Sequence, residues 1–433
     1  MRTDRARLAG ALAAAVGLLA GCGGDEEPFR VGVLTDCIGI YRSLEDAQLS
    51  GAQLPLIERG AQPRGSRPAD GVTRVSVAGT PVELVRACTE WGEFSTMFEQ
   101  VRRLVERESV DAVIGGSVGV DGLGLRMVAA RLPDTTFVAL PGGAREVTLR
   151  ERAPNLFRLE ADHSQAVGGL GTYAFRDLGW RRASVLSQNW DAGWGAAAAF
   201  VAEFCSLGGS VTQERRGGLL EGVSTARVPR GSDGVAVLTT SFPPGTQAPL
   251  LKRLAARFDE PARHVVLGPG VLDEEAALRV AGTVLGGAAA ATRYPPAALE
   301  EFAEGYRRAF PGQGAHAKSE LVIAHRNAVE ALLQALEEAD GDPGERGERL
   351  RAALGALEIE LLGVPHRVDG NGQAVVSATL VRVAPEGGGL PTLRPLRTIA
   401  EVDQTLGGLL DAEHRPGALD ETCEAGEPPP WAR

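Results

Sequence analysis

Several familiar signals are missing from this chain of 433 residues. It has no cluster of basic residues and a formal net charge of −11, which argues against binding to nucleic acid or to an acidic membrane surface. The 6 histidines are scattered, and no Cys-x-x-Cys or His-Glu-x-x-His motif occurs, so we expect neither a metal ion nor any other cofactor. No later apolar run approaches the roughly 20 residues that a membrane-spanning helix needs. With 44% hydrophobic and 23% charged residues, the chain is typical of a globular protein and long enough for two lobes.

The start of the chain predicts export. Three arginines within the first seven residues precede an apolar stretch over residues 8–20, which is too short to span a bilayer. The tetrad LAGC at positions 19–22 resembles the lipobox of bacterial lipoproteins, where the signal is cut before a cysteine that then carries lipid. We therefore expect a signal peptide over residues 1–21, lipid on Cys22 and a tether over residues 22–28. The lipid would hold the protein in the cell envelope, at the outer face of the cytoplasmic membrane or in the periplasm.

Four cysteines remain after Cys22, and an even number in an exported chain predicts disulfide bonds. Four cysteines allow three connectivities. Cys37 and Cys88 each lie just beyond a predicted early strand, which favours their pairing. Cys205 and Cys423 would then form the second bond.

The stretch from residue 110 to residue 145 predicts half of a ligand-binding cleft. It has the order strand, glycine-rich loop, helix, strand and second glycine-rich loop, with buried runs at 111–114 and 136–140. Two parallel strands joined by a right-handed crossover present both loops at their carboxyl ends, where open α/β sheets bind ligands. Glycines in such loops let a ligand approach backbone N–H groups without a Cβ in the way.

Strands and helices alternate along the whole chain, and the alternation restarts after residue 156. Two successive βαβα series predict an α/β fold of two doubly wound, Rossmann-like lobes, each with its own sheet. Further details are a hairpin turn at Gly79, a long helix that Ser319 caps, and a strand over residues 283–290. The tail over residues 424–433, with its proline triplet, is predicted to be disordered.

Eight segments carry a family likeness. In chain order they are VGVLTD, VDAVIGG, FVALPGGA, NLFRLEADHSQA, ASVLSQNWDAGWGAAAAFVAEF, HVVLGPGVLDEEAALRVAG, YRRAFPG and SELVIAHRNAVEALLQAL. Together they resemble the type I periplasmic binding proteins, specifically the leucine/isoleucine/valine-binding branch that serves ABC transporters. The resemblance implies two lobes joined by hinge strands that close on a ligand. The first lobe would contain residues 29–158 plus 295–358, and the second residues 159–294 plus 359–423.

The resemblance also implies which loops would contact the ligand. Carried over by position, the contacts from the first and second lobes are Ser117, Gly119, Gly143, Ala144, Trp190 and Asp191. Tyr41, in the loop after the first strand, is a further candidate. The turn at residues 268–270 reads Gly-Pro-Gly and lacks the acidic residue that meets the ligand ammonium in amino-acid receptors of this branch. An aliphatic amino acid is therefore not the expected ligand, and Asp162, Asp191 or Asp273 are candidates to meet a cationic one.

One motif suggests an enzyme instead. The glycine-rich loop fits G-x-S-x-G with Ser117 as nucleophile, and Asp273 and then His325 or His366 follow in the order of α/β-hydrolases. Further glycines delay the helix that should follow the serine directly, and no oxyanion-hole segment is present. A ligand-contacting serine is therefore the preferred interpretation.

The sequence thus predicts an exported, lipid-anchored solute-binding protein without catalytic activity. It would act as a monomer that captures a small polar solute, amino-acid-like or related, between its lobes. It would deliver this solute to an ABC permease in the membrane. The alternatives are a ligand-sensing lipoprotein of the same fold and a serine hydrolase that uses Ser117.

Overall fold

A computed structural model gives the fold of the protein. It describes residues 27–116, 121–141, 145–150, 152–217, 231–239, 246–273, 275–385, 390–410, 423 and 426–433. None of the helices in these ranges is both long and apolar enough to cross a lipid bilayer.

The strands fall into two separate sheets. In chain order they are β1 (Phe29–Ile38), β2 (Val75–Val77), β3 (Thr80–Glu90), β4 (Ala112–Gly115), β5 (Thr136–Ala139), β6 (Leu156–Arg158), β7 (Arg182–Gln188), β8 (Ser210–Gly217), β9 (Gly234–Leu238), β10 (Val265–Leu267), β11 (Ala289–Thr292), β12 (Glu358–Leu361), β13 (Val364–Val368), β14 (Ala374–Ala384) and β15 (Thr392–Val402). The first sheet has the spatial order β2-β3-β1-β4-β5-β6. β2 is antiparallel to β3 and the other neighbours are parallel. The predicted hairpin at Gly79 and the predicted parallel pair after residue 110 are therefore confirmed.

The second sheet has the spatial order β12-β13-β14-β11-β10-β9-β7-β8, with β15 paired to β14. The neighbours from β11 to β8 are parallel, and β14 is antiparallel to β11. Strand β14 begins beside β13 and continues beside β11 and β15. It therefore extends the parallel sheet by an antiparallel edge.

The helices cover the faces of both sheets. In chain order they are α1 (Glu45–Glu58), α2 (Phe94–Glu106), α3 (Asp121–Ala129), α4 (Glu146–Leu149), α5 (Leu170–Arg176), α6 (Asp191–Ser206), α7 (Gln247–Ala255), α8 (Pro261–His264), α9 (Pro269–Leu272), α10 (Glu275–Val284), α11 (Pro296–Ala309), α12 (Glu320–Glu338) and α13 (Glu348–Gly355). The predicted cap of α12 is confirmed, because Ser319 Oγ accepts a hydrogen bond from Leu321 N at 3.3 Å.

Each sheet has its own hydrophobic core. In the first, Val31 of β1 packs in one cluster with Leu332 of α12. In the second, Val185 of β7 packs in one cluster with Phe204 of α6. Three described segments pass between the lobes: one after β6, one after β11 and one between α13 and β12. The predicted fold class, two doubly wound lobes joined by crossing strands, is confirmed.

Both predicted disulfide bonds are present. Cys37 and Cys88 are joined with their Cα atoms 5.5 Å apart, at the ends of the paired strands β1 and β3. Cys205 of α6 and Cys423 are joined with their Cα atoms 5.1 Å apart. The second bond ties the end of the chain to the second lobe.

The predicted disorder over residues 424–433 is wrong for the described part of this tail. Pro430–Ala432 form a 3₁₀ turn, and Ala432 is fully buried. Trp431 packs against the second core, and its Nε1 donates a hydrogen bond to Glu203 Oε1 at 2.6 Å. The proline triplet indicated disorder, but the indole partner of Glu203 gives the tail a buried contact.

The predicted strand over residues 283–290 is also wrong. Helix α10 continues to Val284, and β11 begins only at Ala289. Small and apolar residues fill both elements, so composition alone did not separate helix from strand. Gly287, with a φ of 96°, lies in the turn between them.

Candidate ligand-binding site

The carboxyl ends of parallel strands in both sheets place polar and aromatic residues where α/β sheets bind ligands. In the first lobe, β1 leads into a 3₁₀ helix over Gly39–Leu44, and β4 leads towards α3. In the second lobe, β7 leads into α6. We call six described residues at these ends the cleft residues: Asp36, Tyr41, Trp91, Asp121, Trp190 and Asp191.

Tyr41 and Trp91 form an aromatic pair in the first lobe. Their ring centroids are 5.4 Å apart and the rings meet edge to face at 82°. Tyr41 is 3% exposed. The Cys37–Cys88 disulfide lies only a few residues before each ring. It therefore fixes the two chain segments that carry the pair.

Two buried carboxylates of the first lobe lie near this pair. Asp36 Oδ2 accepts a hydrogen bond from Gln48 Nε2 at 2.7 Å. Asp121, the first residue of α3, accepts one from Gly92 N at 2.9 Å. Burial raises the pKa of Asp121 to about 7, and the carboxylates of Asp36 and Asp191 add to the rise. Burial and the same three carboxylates raise the pKa of Tyr41.

Asp191 is the corresponding carboxylate of the second lobe. It is the first residue of α6, is 4% exposed, and its Oδ1 accepts a hydrogen bond from Ala192 N at 2.9 Å. Its Oδ2 is buried and has no hydrogen-bond partner among the residues that the structure describes. Burial raises the pKa of Asp191 to about 6. The Glu146 carboxylate also raises this pKa, whereas the Arg158 guanidinium lowers it. The preceding residue, Trp190, is half-buried and donates from Nε1 to Gln188 Oε1 at 3.2 Å.

Asp162 lies in the hinge, and both of its carboxylate oxygens accept hydrogen bonds from other protein groups. Oδ1 accepts hydrogen bonds from Ser164 N and Gln165 N, each at 2.8 Å. Oδ2 accepts from Arg158 Nη2 at 3.4 Å and from Gln404 Nε2 at 3.2 Å. Asp162 therefore holds the first crossing segment in place.

The hinge contains further buried polar contacts between crossing segments. Arg158 is fully buried, and its Nε donates to Gln373 Oε1 at 2.6 Å. Gln373 in turn donates to Glu160 O at 2.8 Å. These bonds join the crossing after β6 to the turn between β13 and β14. Burial lowers the pKa of Arg158, and the Asp162 charge opposes this.

Asp273 lies in a different group of charged residues. Beside it, Arg293 forms an ion pair of 2.7 Å with Glu320 and approaches His163 Nδ1 at 3.2 Å. A cavity of about 600 Å³ is lined by Asp273, Arg293, Glu320 and several leucines. Burial of the carboxyl group and the Glu320 carboxylate raise the pKa of Asp273, and Arg293 opposes this rise. Asp273 keeps an open face to solvent, which limits this rise.

Four predicted contacts lie outside the described residues: Ser117, Gly119, Gly143 and Ala144. The hydrolase hypothesis depends on the first of these. Its proposed histidines bond elsewhere, because His325 Nδ1 lies 2.7 Å from Leu321 O and His366 Nδ1 lies 2.8 Å from Val364 O. Burial lowers the pKa of His325 to about 4. Both histidines are thus engaged with the backbone of their own segments.

Sequence reasoning missed three of the cleft residues, namely Asp36, Trp91 and Asp121. Asp36 lies near the end of β1, and Trp91 directly follows β3. Asp121 opens the helix that follows β4. A search for polar or aromatic residues at the carboxyl ends of all predicted strands would have found them.

The two doubly wound lobes and the segments that cross between them have the fold of a type I periplasmic binding protein. Residues 28–389 match the sequence profile of a family described as "Periplasmic binding protein". The chain belongs to this family, which confirms the predicted resemblance. A search of curated protein sequences gave no match.

Solved structures show the same fold. An ABC transporter substrate-binding protein from Sphaerobacter thermophilus is 21% identical with a TM-score of 0.72, over 87% of this chain and 99% of that one. A solute-binding protein from Rhodopseudomonas palustris BisB5, in complex with 3,4-dihydroxybenzoic acid, is 18% identical with a TM-score of 0.69. The match covers 87% of this chain and 98% of that one. LivJ from Streptococcus pneumoniae, the substrate-binding protein of a branched-chain amino acid transporter in complex with isoleucine, is 16% identical with a TM-score of 0.62. The match covers 86% of this chain and 99% of that one.

Proposed function

We propose that this protein is the solute-binding component of an ABC transporter and captures a small polar solute between its two lobes. The observation that carries the proposal is the state of Asp191. This carboxylate is buried at the edge of the second lobe, and its Oδ2 has no hydrogen-bond partner in the described part of the chain. A buried, unpaired carboxylate oxygen is costly unless a ligand supplies its partner. Family membership supports the same function.

The cleft residues are held in place before a solute arrives. Gln48 positions Asp36, the Gly92 N–H positions Asp121, and the Ala192 N–H positions Asp191. A preorganised site spends little of its binding free energy on ordering side chains. Closure of the two lobes about the hinge would then exclude water from the solute.

The solute is proposed to be a small polar molecule, amino-acid-like or related. The R. palustris protein was solved with an aromatic acid and the S. pneumoniae protein with isoleucine. These complexes support a site for one small molecule in the present chain as well. The solute would pass to an ABC permease in the membrane, and the protein would act as a monomer without catalysis.

The protein is proposed to be anchored by lipid on Cys22. Support comes from the tetrad LAGC at the end of the apolar leader. Mass spectrometry of the membrane fraction should then show a chain that begins at Cys22 and carries lipid. Cys22→Ala should abolish this form, and an unmodified mature chain would contradict the anchor.

A ligand screen by thermal unfolding tests the solute-binding function. The panel contains amino acids, amides, polyamines, short peptides and aromatic acids, added to the chain from residue 23 to residue 433. A solute at 1,000 times its dissociation constant should stabilise the protein by about 4 kcal/mol. A saturable rise in Tm that Asp191→Asn reduces is the expected result. Absence of any shift across the panel would contradict the proposal.

A further inference from the structure

A cavity of about 600 Å³, which we call the hinge cavity, lies beside the hinge and between the two lobes. Helices α11 and α12 of the first lobe line it with Pro296, Leu299 and Ile323, and α10 and β15 of the second lobe line it with Leu278 and Leu393. None of the six cleft residues is among the described residues that line it. Pockets for small molecules have volumes of roughly 300–1,000 Å³. The hinge cavity is therefore large enough for a ligand of its own.

The walls of the hinge cavity belong to the packed interior of the protein. Leu272 and Leu393 pack against a buried cluster of the second lobe that contains Val235 of β9. Leu299 packs against another buried cluster, which contains Ile323 of α12. Close packing on the far side holds these apolar side chains in place. Such walls favour a ligand with an apolar body, because binding removes apolar surface from water.

Two polar side chains of the wall have unused hydrogen-bonding capacity. The Arg293 side chain is 8% exposed, its Nη1 donates to Ala161 O and its Nη2 pairs with Glu320. Its Nε is buried and has no acceptor among the described residues. Asp273 also lines the cavity, and within the described ranges its carboxylate makes no hydrogen bond or ion pair. One donor and one acceptor thus remain for a ligand.

The other charged groups of the described wall are already paired or lie in water. Lys318 forms an ion pair with Glu300. Glu160 Oε2 accepts a hydrogen bond from Tyr294 Oη at 2.5 Å. Arg307 is exposed in the last turn of α11, where water solvates it. The polar end of a ligand would therefore meet the two unused groups described above.

These two groups favour an uncharged polar end. A carboxylate could accept from Arg293 Nε, but it would bring a like charge to the cavity of Asp273 and Glu320. An ammonium group could donate to Asp273, but it would leave Arg293 Nε without an acceptor. A hydroxyl or amide group both donates and accepts hydrogen bonds and adds no charge to the cavity.

We propose that the hinge cavity is a second ligand site, for an uncharged amphipathic molecule. Its hydroxyl or amide group meets Asp273 and Arg293, and its apolar body lies against the leucines of both lobes. A molecule in this position contacts both lobes and holds the angle between them. The inference does not depend on solute capture at the cleft residues.

Calorimetric titration of the chain from residue 23 to residue 433 at pH 8 tests the inference. Four probes share one phenylalkyl body and differ at the polar end: 4-phenylbutanamide, 4-phenylbutan-1-ol, 4-phenylbutylamine and 4-phenylbutanoate. The amine and the acid are both charged at this pH. Saturable binding of the amide or the alcohol is expected, with an affinity at least about 10-fold higher than that of either charged probe.

Variants assign the binding to the hinge cavity. Leu278→Trp narrows the cavity and should abolish binding of the uncharged probe. The matched control is Ala276→Trp, which places the same ring at an exposed position of the same helix and should leave affinity unchanged. Asp273→Ala removes the acceptor and should lower affinity about 10-fold. Asp191→Asn, at the cleft, should have no effect on this probe, and circular dichroism and Tm confirm that each variant is folded.

Three results would overturn the inference. Equal affinity of Leu278→Trp and the wild type would place the binding elsewhere. Tighter binding of the amine or the acid, abolished by Leu278→Trp, would overturn the uncharged class. Absence of saturable binding by all four probes would reject the second site. None of these results contradicts the proposed function, which the ligand screen tests through Asp191.

Discussion

Arg293 and Glu320 form an ion pair, with Nη2 and Oε1 2.7 Å apart, that joins the crossing segment after β11 to the first turn of α12. The two side chains are 8% and 25% exposed. Arg293 Nη1 also donates to Ala161 O at 3.1 Å, in the crossing segment after β6. One guanidinium therefore links two of the hinge crossings to a helix of the first lobe.

Arg293→Gln should lower the free energy of unfolding by about 1–3 kcal/mol, because it removes charged hydrogen bonds from a shielded position. Denaturant unfolding measures the loss. The control is Arg279→Gln, whose pair with Glu275 has the same 2.7 Å separation but is 49% and 69% exposed. The control should cost only about 0.3–0.5 kcal/mol. Equal losses in the two variants would show that the hinge pair has no special role.

Asp121→Asn should stabilise the ligand-free protein increasingly as the pH rises. Burial raises the pKa of Asp121 from 3.8 to about 7, so the folded state binds this proton more tightly than the unfolded state. The resulting stability is complete below pH 3.8 and is lost as the pH rises through about 7. Because asparagine stays neutral, the variant should gain about 1–4 kcal/mol on the wild type between pH 5 and pH 8.

Asp233→Asn should show the opposite sign. Although partial burial acts the other way, hydrogen bonds from the backbone N–H groups of Arg181 and Arg182 lower the pKa of Asp233. Stability from this carboxylate is present above its unfolded pKa of 3.8 and is lost as the pH falls through the lower folded value. The asparagine variant should therefore be less stable than the wild type at pH 8. A loss of stability at pH 8 in both variants would contradict the assignment for Asp121.

Replacement of Cys37 and Cys88 by serine should lower the free energy of unfolding by about 4 kcal/mol, because the bond spans 51 residues. It should also weaken solute binding, since this bond fixes the segments of Tyr41 and Trp91. Chemical unfolding and solute titration measure the two effects.

The matched control replaces Cys205 and Cys423, which are 218 residues apart, and should cost about 5 kcal/mol. That bond lies at the other end of α6 from Asp191, so solute affinity should be retained. Equal loss of affinity in both double variants would mean that the first disulfide has no local effect on the cleft.

Trp431→Phe should lower the free energy of unfolding by about 1–3 kcal/mol, because it removes a donor from the fully buried carboxylate of Glu203. Thermal unfolding gives the difference. Trp194→Phe is the control, since Trp194 Nε1 donates at 3.0 Å to Asn189 on the surface. The control should change stability by about 0.5 kcal/mol or less. Unchanged stability in Trp431→Phe would contradict the docking of the tail.

The sequence predicted those parts of the fold that depend on local patterns. Apolar spacing and the Ser319 cap mark α12, and β-branched runs mark β4 and β5. The disulfide pairing followed from the positions of two strands. These signals lie within a few residues of the elements that they define.

Features that depend on distant contacts were not predicted. In the sequence, Asp121 looks like an ordinary first residue of a helix. Its burial depends on the folded structure, where Gly92, just after β3, lies against it. Trp431 lies in a proline-rich tail, and its partner Glu203 is 228 residues away. The carboxylates of the cleft likewise come from three separate elements of two lobes. The spacing of residues along the chain does not predict such long-range contacts.

Small-angle X-ray scattering tests the central claim most directly. The chain from residue 23 to residue 433 is measured alone and with a saturating solute that raises its Tm. Solute capture between the lobes predicts a smaller radius of gyration when the solute is bound, because the hinge closes. An unchanged radius of gyration with solute bound would contradict capture by closure of the two lobes.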